Sequence, residues 1–438
     1  MKLRLKHKKA KRNSLKQKSF WAKLGPGFVT GAADDDPSGV VTYSQAGAQY
    51  GFGQLWTAIL MLPFLIAIQE MCARIGVVTG KGLAKNIKEH YPKWILVGAV
   101  GLLFIANTIN LGADIGAMAA ATQLFLHLPF TAIALLFFAI IISLEIFVPY
   151  HKYARILKWL TLTLLAYIFT GLIVARNWKM LLSATFFPHI AFTPTFLILL
   201  TGVIGTTISP YMFFWEAQQE IEEDLDQNMG NPKMIQEPQI HKRIGDMRID
   251  TTVGMIFSEV GSWFIIMTAA LVLHAHGITN IATAQQAASA LQPLVQNFPH
   301  AGTIAELLFA IGIVGAGLIA VPIFAATSAY AISEIFDWDE GLSKTFKQAK
   351  AFYIIIILGT LIGLLLNFLG VNPISALVYT AVLNGVIAPI IIILLLRIAN
   401  NKKIMGSETN SFWSNFFVSA TFIGMGLAIL FTAYQLFK

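Results

Sequence analysis

An all-α, polytopic membrane fold is the class this sequence predicts, and three observations carry that expectation. Of 438 residues, 56% are apolar and only 12% charged. The mean hydropathy is +0.67. The apolar residues also gather in long blocks. A soluble domain carries roughly 25% charged residues, so the shortage of charge points to the membrane class. The stretches 133–150, 354–371 and 376–396 each run for roughly 18 residues or more almost free of charge, the length that crosses a hydrocarbon core of about 30 Å as a helix. The blocks do not alternate apolar with polar, which argues against a β-barrel.

From the amino end, residues 1–24 form a basic tail, with ten Lys and Arg and no acid before Leu24. A cleaved signal needs a short apolar stretch and a small-residue site. Here the following helix is interrupted by acids, so a cytoplasmic tail beside anionic headgroups is expected. No nucleic-acid role is expected of it.

Eleven spans follow, at about 26–50, 54–78, 95–124, 128–149, 155–176, 194–218, 249–275, 303–335, 351–369, 373–397 and 412–436. Loop charge sets their orientation, because Lys and Arg concentrate on the cytoplasmic side. Lys81, Lys85, Lys88 and Lys93 follow the second span. Lys152, Arg155 and Lys158 follow the fourth, Lys344, Lys347 and Lys350 the eighth, and Arg397, Lys402 and Lys403 the tenth. The opposite loops 125–130, 276–302 and 368–374 carry no Lys or Arg, and only Arg176 and Lys179 break the pattern. The amino terminus is therefore expected inside and the carboxyl terminus outside. The polar stretch 216–250, with Glu220, Glu222, Glu223, Asp224 and Asp226, reads as a solvated cytoplasmic loop. It lacks calcium-loop spacing, and the chain has no P-loop for ATP. The single cysteine, Cys72, excludes an intrachain disulfide and reads as a small core residue.

Two spans are broken. The first contains Gly31, Asp34, Asp35, Asp36, Pro37, Ser38 and Gly39. Intramembrane acids mark ion pathways. Proline and glycine there free backbone carbonyls, which survive only where they line an enclosed cavity. Asp36 could also serve simply as the cap of a half-helix. The sixth span contains Gly205, Thr206, Thr207, Ser209, Pro210 and Tyr211. A hydroxyl such as Ser209 or Thr206 commonly bonds its own helix backbone. Interruptions at matching positions of two halves, however, point to a transporter's midplane site.

These residues resemble the Nramp family of divalent-metal transporters over nearly the whole chain from about residue 24. Asp36, Pro37, Ser38 and Gly39 stand where that family has Asp-Pro-Gly-Asn. Gly76 to Ala84 is similar to its G-[IV]-V-T-G-K-x-L-A segment. Ala284 to Leu294 resembles its A-x-Q-A…L-x-P-L stretch, and Lys403 to Gly406 its basic I-M-G motif. The resemblance implies a LeuT-type inverted repeat of five plus five helices and an eleventh span. Residues 25–178 would form the first repeat, 179–398 the second, and 399–438 the last span.

The departures from that pattern carry further expectations. The family's span-six methionine is Ser209 here, and its first-motif asparagine is Gly39. Loss of soft sulfur favours oxygen-loving ions, and a wider cavity suits Mg²⁺, which gives up its waters reluctantly. The family's third-span acids fall at Asn110 and Ala113, with Asp114 one residue on and about 100° away around the helix. Its span-six histidines fall at Tyr211 and Glu216, and its span-eight glutamine at Leu318. Proton relays need titratable groups, so uncoupled transport is expected, as in the Nramp-related magnesium transporter branch.

The expected function is thus carriage of a hydrated divalent cation, Mg²⁺ first and Mn²⁺ second, by a monomer in the cell membrane. No cofactor is expected, since the metal is the substrate, and no enzymatic activity. Asp36, Gly39, Thr206 and Ser209 form the expected metal site, with Asp34, Asp35, Asn110, Tyr211 and Glu216 around it. One alternative is a proton-coupled Mn²⁺ or Fe²⁺ importer relaying protons through Asp114 or Glu216. Another is a sodium-coupled amino-acid or small-solute symporter. His274 and His276 read as ordinary interfacial residues.

Overall fold

The computed structural model describes residues 25–148, 165–226 and 237–436. The basic tail lies outside them, as do residues 155–164 of the expected fifth span. Among the described residues the chain forms helices and no strand. The first span divides into α1 (Pro26–Asp34) and α2 (Pro37–Tyr50). Next come α3 (Trp56–Thr79), α4 (Leu83–His90), α5 (Lys93–Thr122) and α6 (Phe130–Phe147). The fifth span is represented by α7 (Leu165–Val174), followed by α8 (Trp178–Phe186). The sixth divides into α9 (Pro194–Thr207) and α10 (Pro210–Asp226). The remainder are α11 (Glu237–Val272), α12 (Ala301–Phe336), α13 (Lys350–Leu366), α14 (Pro373–Ala399) and α15 (Phe412–Leu436).

Both breaks follow from proline chemistry. Pro37 and Pro210 open α2 and α10, where a missing N–H costs nothing because the first turn has no intrahelical acceptor for it. At α2 the preceding residue, Asp36, is extended (φ −67°, ψ 172°) and its side chain accepts the Gly39 N–H. This is the capping geometry that starts a helix anew.

Among the described residues, nine stretches are long and apolar enough to cross a membrane, with Pro194–Glu223 taken as one. The broken spans sit at the centre. The hydrophobic window of Pro194–Glu223 is 89% buried, against 28% for Phe130–Phe147 and 17% for Phe412–Phe431. The outer helices α6 and α15 therefore present their apolar faces outward, as membrane helices do.

Small residues clamp each first half-helix onto a longer partner. A Cβ on Gly31 of α1 would lie 2.2 Å from the Gly254 carbonyl oxygen of α11, and one on Gly254 would lie 2.2 Å from that of Gly27. A Cβ on Gly205 of α9 would lie 2.3 Å from the Ala381 carbonyl of α14, and one on Gly385 the same distance from that of Thr201. Close backbone approach through glycine is how membrane helices associate without a hydrophobic driving force.

The expected loop 216–250 is mostly helix. Helix α10 runs on to Asp226 and α11 starts at Glu237, leaving only 227–236 between them, outside the described residues. Two of its acids misled the composition reading because they turn inward. Glu216 and Glu220 are buried, and Glu220 pairs with Arg243 at 3.0 Å. Cys72 is buried and free, in the core as expected.

Candidate cation site at the paired helix breaks

The capping of α2 builds the site. Asp36 Oδ1 accepts the Gly39 N–H at 2.6 Å and the Ser38 hydroxyl at 2.8 Å. The Ser38 hydroxyl in turn lies 3.4 Å from that of Thr206 at the end of α9. One turn further along α2, the Tyr43 hydroxyl meets Thr207 Oγ1 at 2.9 Å. The break of the first span thus faces the end of the half-helix before the second break.

Gly39 lies at the junction. The three nearest atoms to a Cβ built there are the Asp34 carbonyl oxygen at 3.2 Å, Asp36 Oδ1 at 3.3 Å and Thr206 Oγ1 at 3.3 Å. The glycine leaves a space walled by three oxygens of three kinds: carbonyl, carboxylate and hydroxyl. That is the donor set of a hard cation. The carbonyls at the end of α1 lack helical partners by position, so they add to it.

The other expected residues divide into three groups. Ser209 adjoins the junction, but its hydroxyl donates back to the Gly205 and Thr206 carbonyls at 2.7 and 2.8 Å. Its proton is spent on its own helix, which leaves the oxygen able only to accept or to ligate. Tyr211 donates to the Ala33 carbonyl at 3.2 Å and packs against Phe324, the rings tilted by 53° with centroids 4.2 Å apart. It therefore ties α10 to the end of α1. Asn110 donates to Asn384 Oδ1 at 3.2 Å, joining α5 to α14, while its own Oδ1 is buried without a partner.

Asp34 and Asp35 turn away from α9, toward α11. Ser258 donates its hydroxyl to Asp34 Oδ2, and Asp35 Oδ2 fills the slot at Gly261, 2.8 Å from where a Cβ would stand. Glu216 is remote from the junction. It accepts the hydroxyls of Thr30 and of Thr251, the latter at 3.0 Å, and so staples α1, α10 and α11 together. His274 makes a contact of 2.8 Å with the Ala48 carbonyl, a packing role as expected.

One acid that the sequence reading named is placed differently, and two more escaped it. Asp114 was expected to point away, yet it is fully buried with both carboxylate oxygens unpartnered, within electrostatic range of Asp36. Helix α5 is turned so that Asn107, Asn110, Asp114 and Met118 share the inner face. Glu259 lies inside the seventh span, and the rule that flagged Asp36 would have flagged it. Asp250 accepts the N–H groups of Gly25, Gly27 and Phe28 at 2.8, 2.8 and 3.2 Å, capping α1 from α11. Among the described residues, no three His, Cys, Asp or Glu side chains converge on one point that could hold a metal ion. The junction is therefore a mixed oxygen site with one dominant charge.

Comparison with known proteins identifies the family and the fold. The family model described as "Natural resistance-associated macrophage protein-like" matches residues 27–435. The chain is 25% identical over 410 residues to the divalent metal cation transporter MntH of Erwinia tasmaniensis, covering 90% of each. Its fold is similar to the Eremococcus coleocola manganese transporter, with a TM-score of 0.75 at 14% identity over 95% of this chain and 88% of that one. It is also similar to MhsT in complex with L-phenylalanine, with a TM-score of 0.60 at 15% identity over 93% of this chain and 98% of that one. With the family model spanning almost the whole chain and the all-helical fold shared with these transporters, this protein belongs to the Nramp family of divalent-metal transporters, and is a multi-pass membrane transporter and not an enzyme.

Proposed function

We propose that the chain carries a largely hydrated divalent cation, Mg²⁺ before Mn²⁺, between Asp36 and the sixth-span break, without obligatory proton coupling. The observation that carries this reading is the space at Gly39, bounded by the Asp34 carbonyl, the Asp36 carboxylate and the Thr206 hydroxyl. No sulfur is among these nearest atoms, and soft thioether is what favours transition metals over magnesium. Asp36 supplies the charge, and Thr206 and Ser209 supply oxygen to the ion or its water shell. The loop charges support a cytoplasmic amino terminus and an extracytoplasmic carboxyl terminus in the cell membrane. We take the unit to be a monomer with repeats at 25–178 and 179–398, needing no cofactor. Access would alternate as one helix set rocks against the other.

A second reading, a proton-coupled Mn²⁺ importer, is favoured by one observation: Asp114 is buried, unpartnered and within range of Asp36. The Mn²⁺ specificity of a solved relative's name belongs to that protein.

Uptake into proteoliposomes separates the two. Mg²⁺ and Mn²⁺ indicators and an internal pH dye are read for wild type and Asp36→Asn, which keeps a capping side chain and removes the charge. Mg²⁺ entry without acidification, abolished in the variant, is the expected result. Mn²⁺ entry with acidification and no Mg²⁺ entry would overturn it in favour of the second reading.

A further inference from the structure

A slot of about 760 Å³ lies between α3, α9 and α15, a volume in the range that holds a small ligand. Trp56 and Phe64 wall it from α3, Leu200 and Ile204 from α9, and Gly424 and Tyr434 from α15. The wall is apolar but for three polar side chains, and two of these are already spent. The Trp56 indole N–H donates to the Gly53 carbonyl at 3.1 Å, and the Thr421 hydroxyl to the Phe417 carbonyl at 2.9 Å. A buried water takes about two to four polar partners. Only the Tyr434 hydroxyl remains, at an exposed position, so the slot is built for an apolar occupant.

Its dimensions match one leaflet of a bilayer. Phe64 meets Phe417 of α15 edge to face, with centroids 5.3 Å apart, and closes one end. Trp56 and Tyr434 stand at the other, as aromatic residues do at the headgroup level. At about 1.5 Å per residue the slot runs about 12 Å along α3, from Trp56 to Phe64, and about 20 Å along α15, from Thr421 to Tyr434. Half a hydrocarbon core is about 15 Å. Leu427 and Leu430, which also line the slot, are 60% and 69% exposed, so it opens on the face of α15 that meets hydrocarbon. A Cβ on Gly424 would meet nothing within 4 Å, in contrast to the glycines that seat α1 on α11.

We propose that this slot binds one acyl chain of a bilayer phospholipid, its headgroup at the level of Trp56 and Tyr434. A tail entering from the membrane gives the apolar walls close dispersion contacts, where water would find no partners. Ile204 and Thr206 are two residues, or about 200°, apart around α9. The chain therefore backs this half-helix on the side opposite the Thr206 hydroxyl, where no other helix of the bundle fills the space beside Gly424.

Native mass spectrometry of the purified full chain, loaded with palmitoyl-oleoyl phosphatidylglycerol and washed with detergent, reads the occupant by its mass. Wild type should retain one phospholipid per chain. Gly424→Phe, whose ring would fill the slot, should retain none. Gly426→Phe, on the same helix with equal room for a side chain but outside the slot, should retain one. If Gly424→Phe fails to fold, Ala428→Leu, also in the wall, should lose the lipid in its place. Added phospholipid should raise the melting temperature of wild type and of Gly426→Phe, since a ligand of the folded state stabilises it, and leave that of Gly424→Phe unchanged. Equal retention by wild type and a folded Gly424→Phe overturns the site. So does a wild type that carries only detergent or a free fatty acid.

Discussion

Asp250 and Gly27 stand 223 residues apart in sequence, yet the Asp250 carboxylate accepts the Gly27 N–H at 2.8 Å. The same side chain takes the Gly25 and Phe28 N–H groups, so a residue of α11 caps the start of α1. A carboxylate there also meets the positive end of the helix dipole. Replacement by alanine should cost about 1–2 kcal/mol of local stability. Amide hydrogen exchange should rise across residues 26–34 in Asp250→Ala and stay unchanged in α14. Unchanged exchange across α1 would mean the cap contributes nothing.

Gly39 is kept empty by the oxygens around it. In Gly39→Ala a methyl group would sit 3.2–3.3 Å from three oxygens and occupy the space assigned to the ion or its waters. Alanine is the better helix former by about 1 kcal/mol, so folding should hold or improve. Cation affinity should fall by at least about 1.4 kcal/mol, or tenfold. Full uptake by Gly39→Ala, with an unchanged or higher melting temperature, would remove Gly39 from the site.

Ser209 tests selectivity. Its oxygen is the only side-chain donor at the position where the family carries a thioether. Ser209→Met should lower Mg²⁺ uptake and raise that of Mn²⁺ or Cd²⁺, since soft sulfur prefers softer ions. Competition assays with excess Mg²⁺ read the change. An unaltered ratio would show that selectivity is set elsewhere, with Asp114 the next residue to examine.

Glu340, between α12 and α13, gives a pH-dependent signature. Burial pushes its carboxyl up to about 9, and the neighbouring Glu334 adds to the effect. In an unfolded chain the group titrates near about 4.3. The folded protein therefore retains a proton that the unfolded chain releases. Its contribution to stability is complete below that lower value and is lost progressively as pH rises toward about 9. Glu340→Gln should melt with wild type near pH 5 and above it by pH 8 to 9, with the gap widening between. A pH-independent gap would contradict the burial argument.

The break residues were legible because charge and proline are conspicuous in an apolar span. Asp36, Pro37 and Gly39 needed no structure to be noticed, and most of the described span boundaries agree within a few residues for the same reason, the end of the sixth and the start of the seventh being the exceptions. What the sequence concealed was direction. Asp34 and Asp35 differ from Asp36 only by rotation about a helix that ends between them, and that rotation sends them to α11. Asp114 was discounted on an assumed facing for α5, yet the facing is set by packing on α12 and α14. Glu216 was set beside the metal site and, with Asp250, at the edge of an expected loop, because polar composition resembles solvent exposure. Their partners, Thr30, Thr251 and the first turn of α1, come together only in three dimensions.

The glycine contacts that seat α1 on α11 and α9 on α14 restrict how the molecule can move. Backbones pressed together at Gly31 and Gly254, or at Gly205 and Gly385, cannot slide, because the next residue along brings a side chain into the seam. Each half-helix must therefore travel as cargo of its long neighbour. In the proposed cycle the elementary moving parts are two such welded pairs, and the proposed cation site is the seam where one pair meets the other.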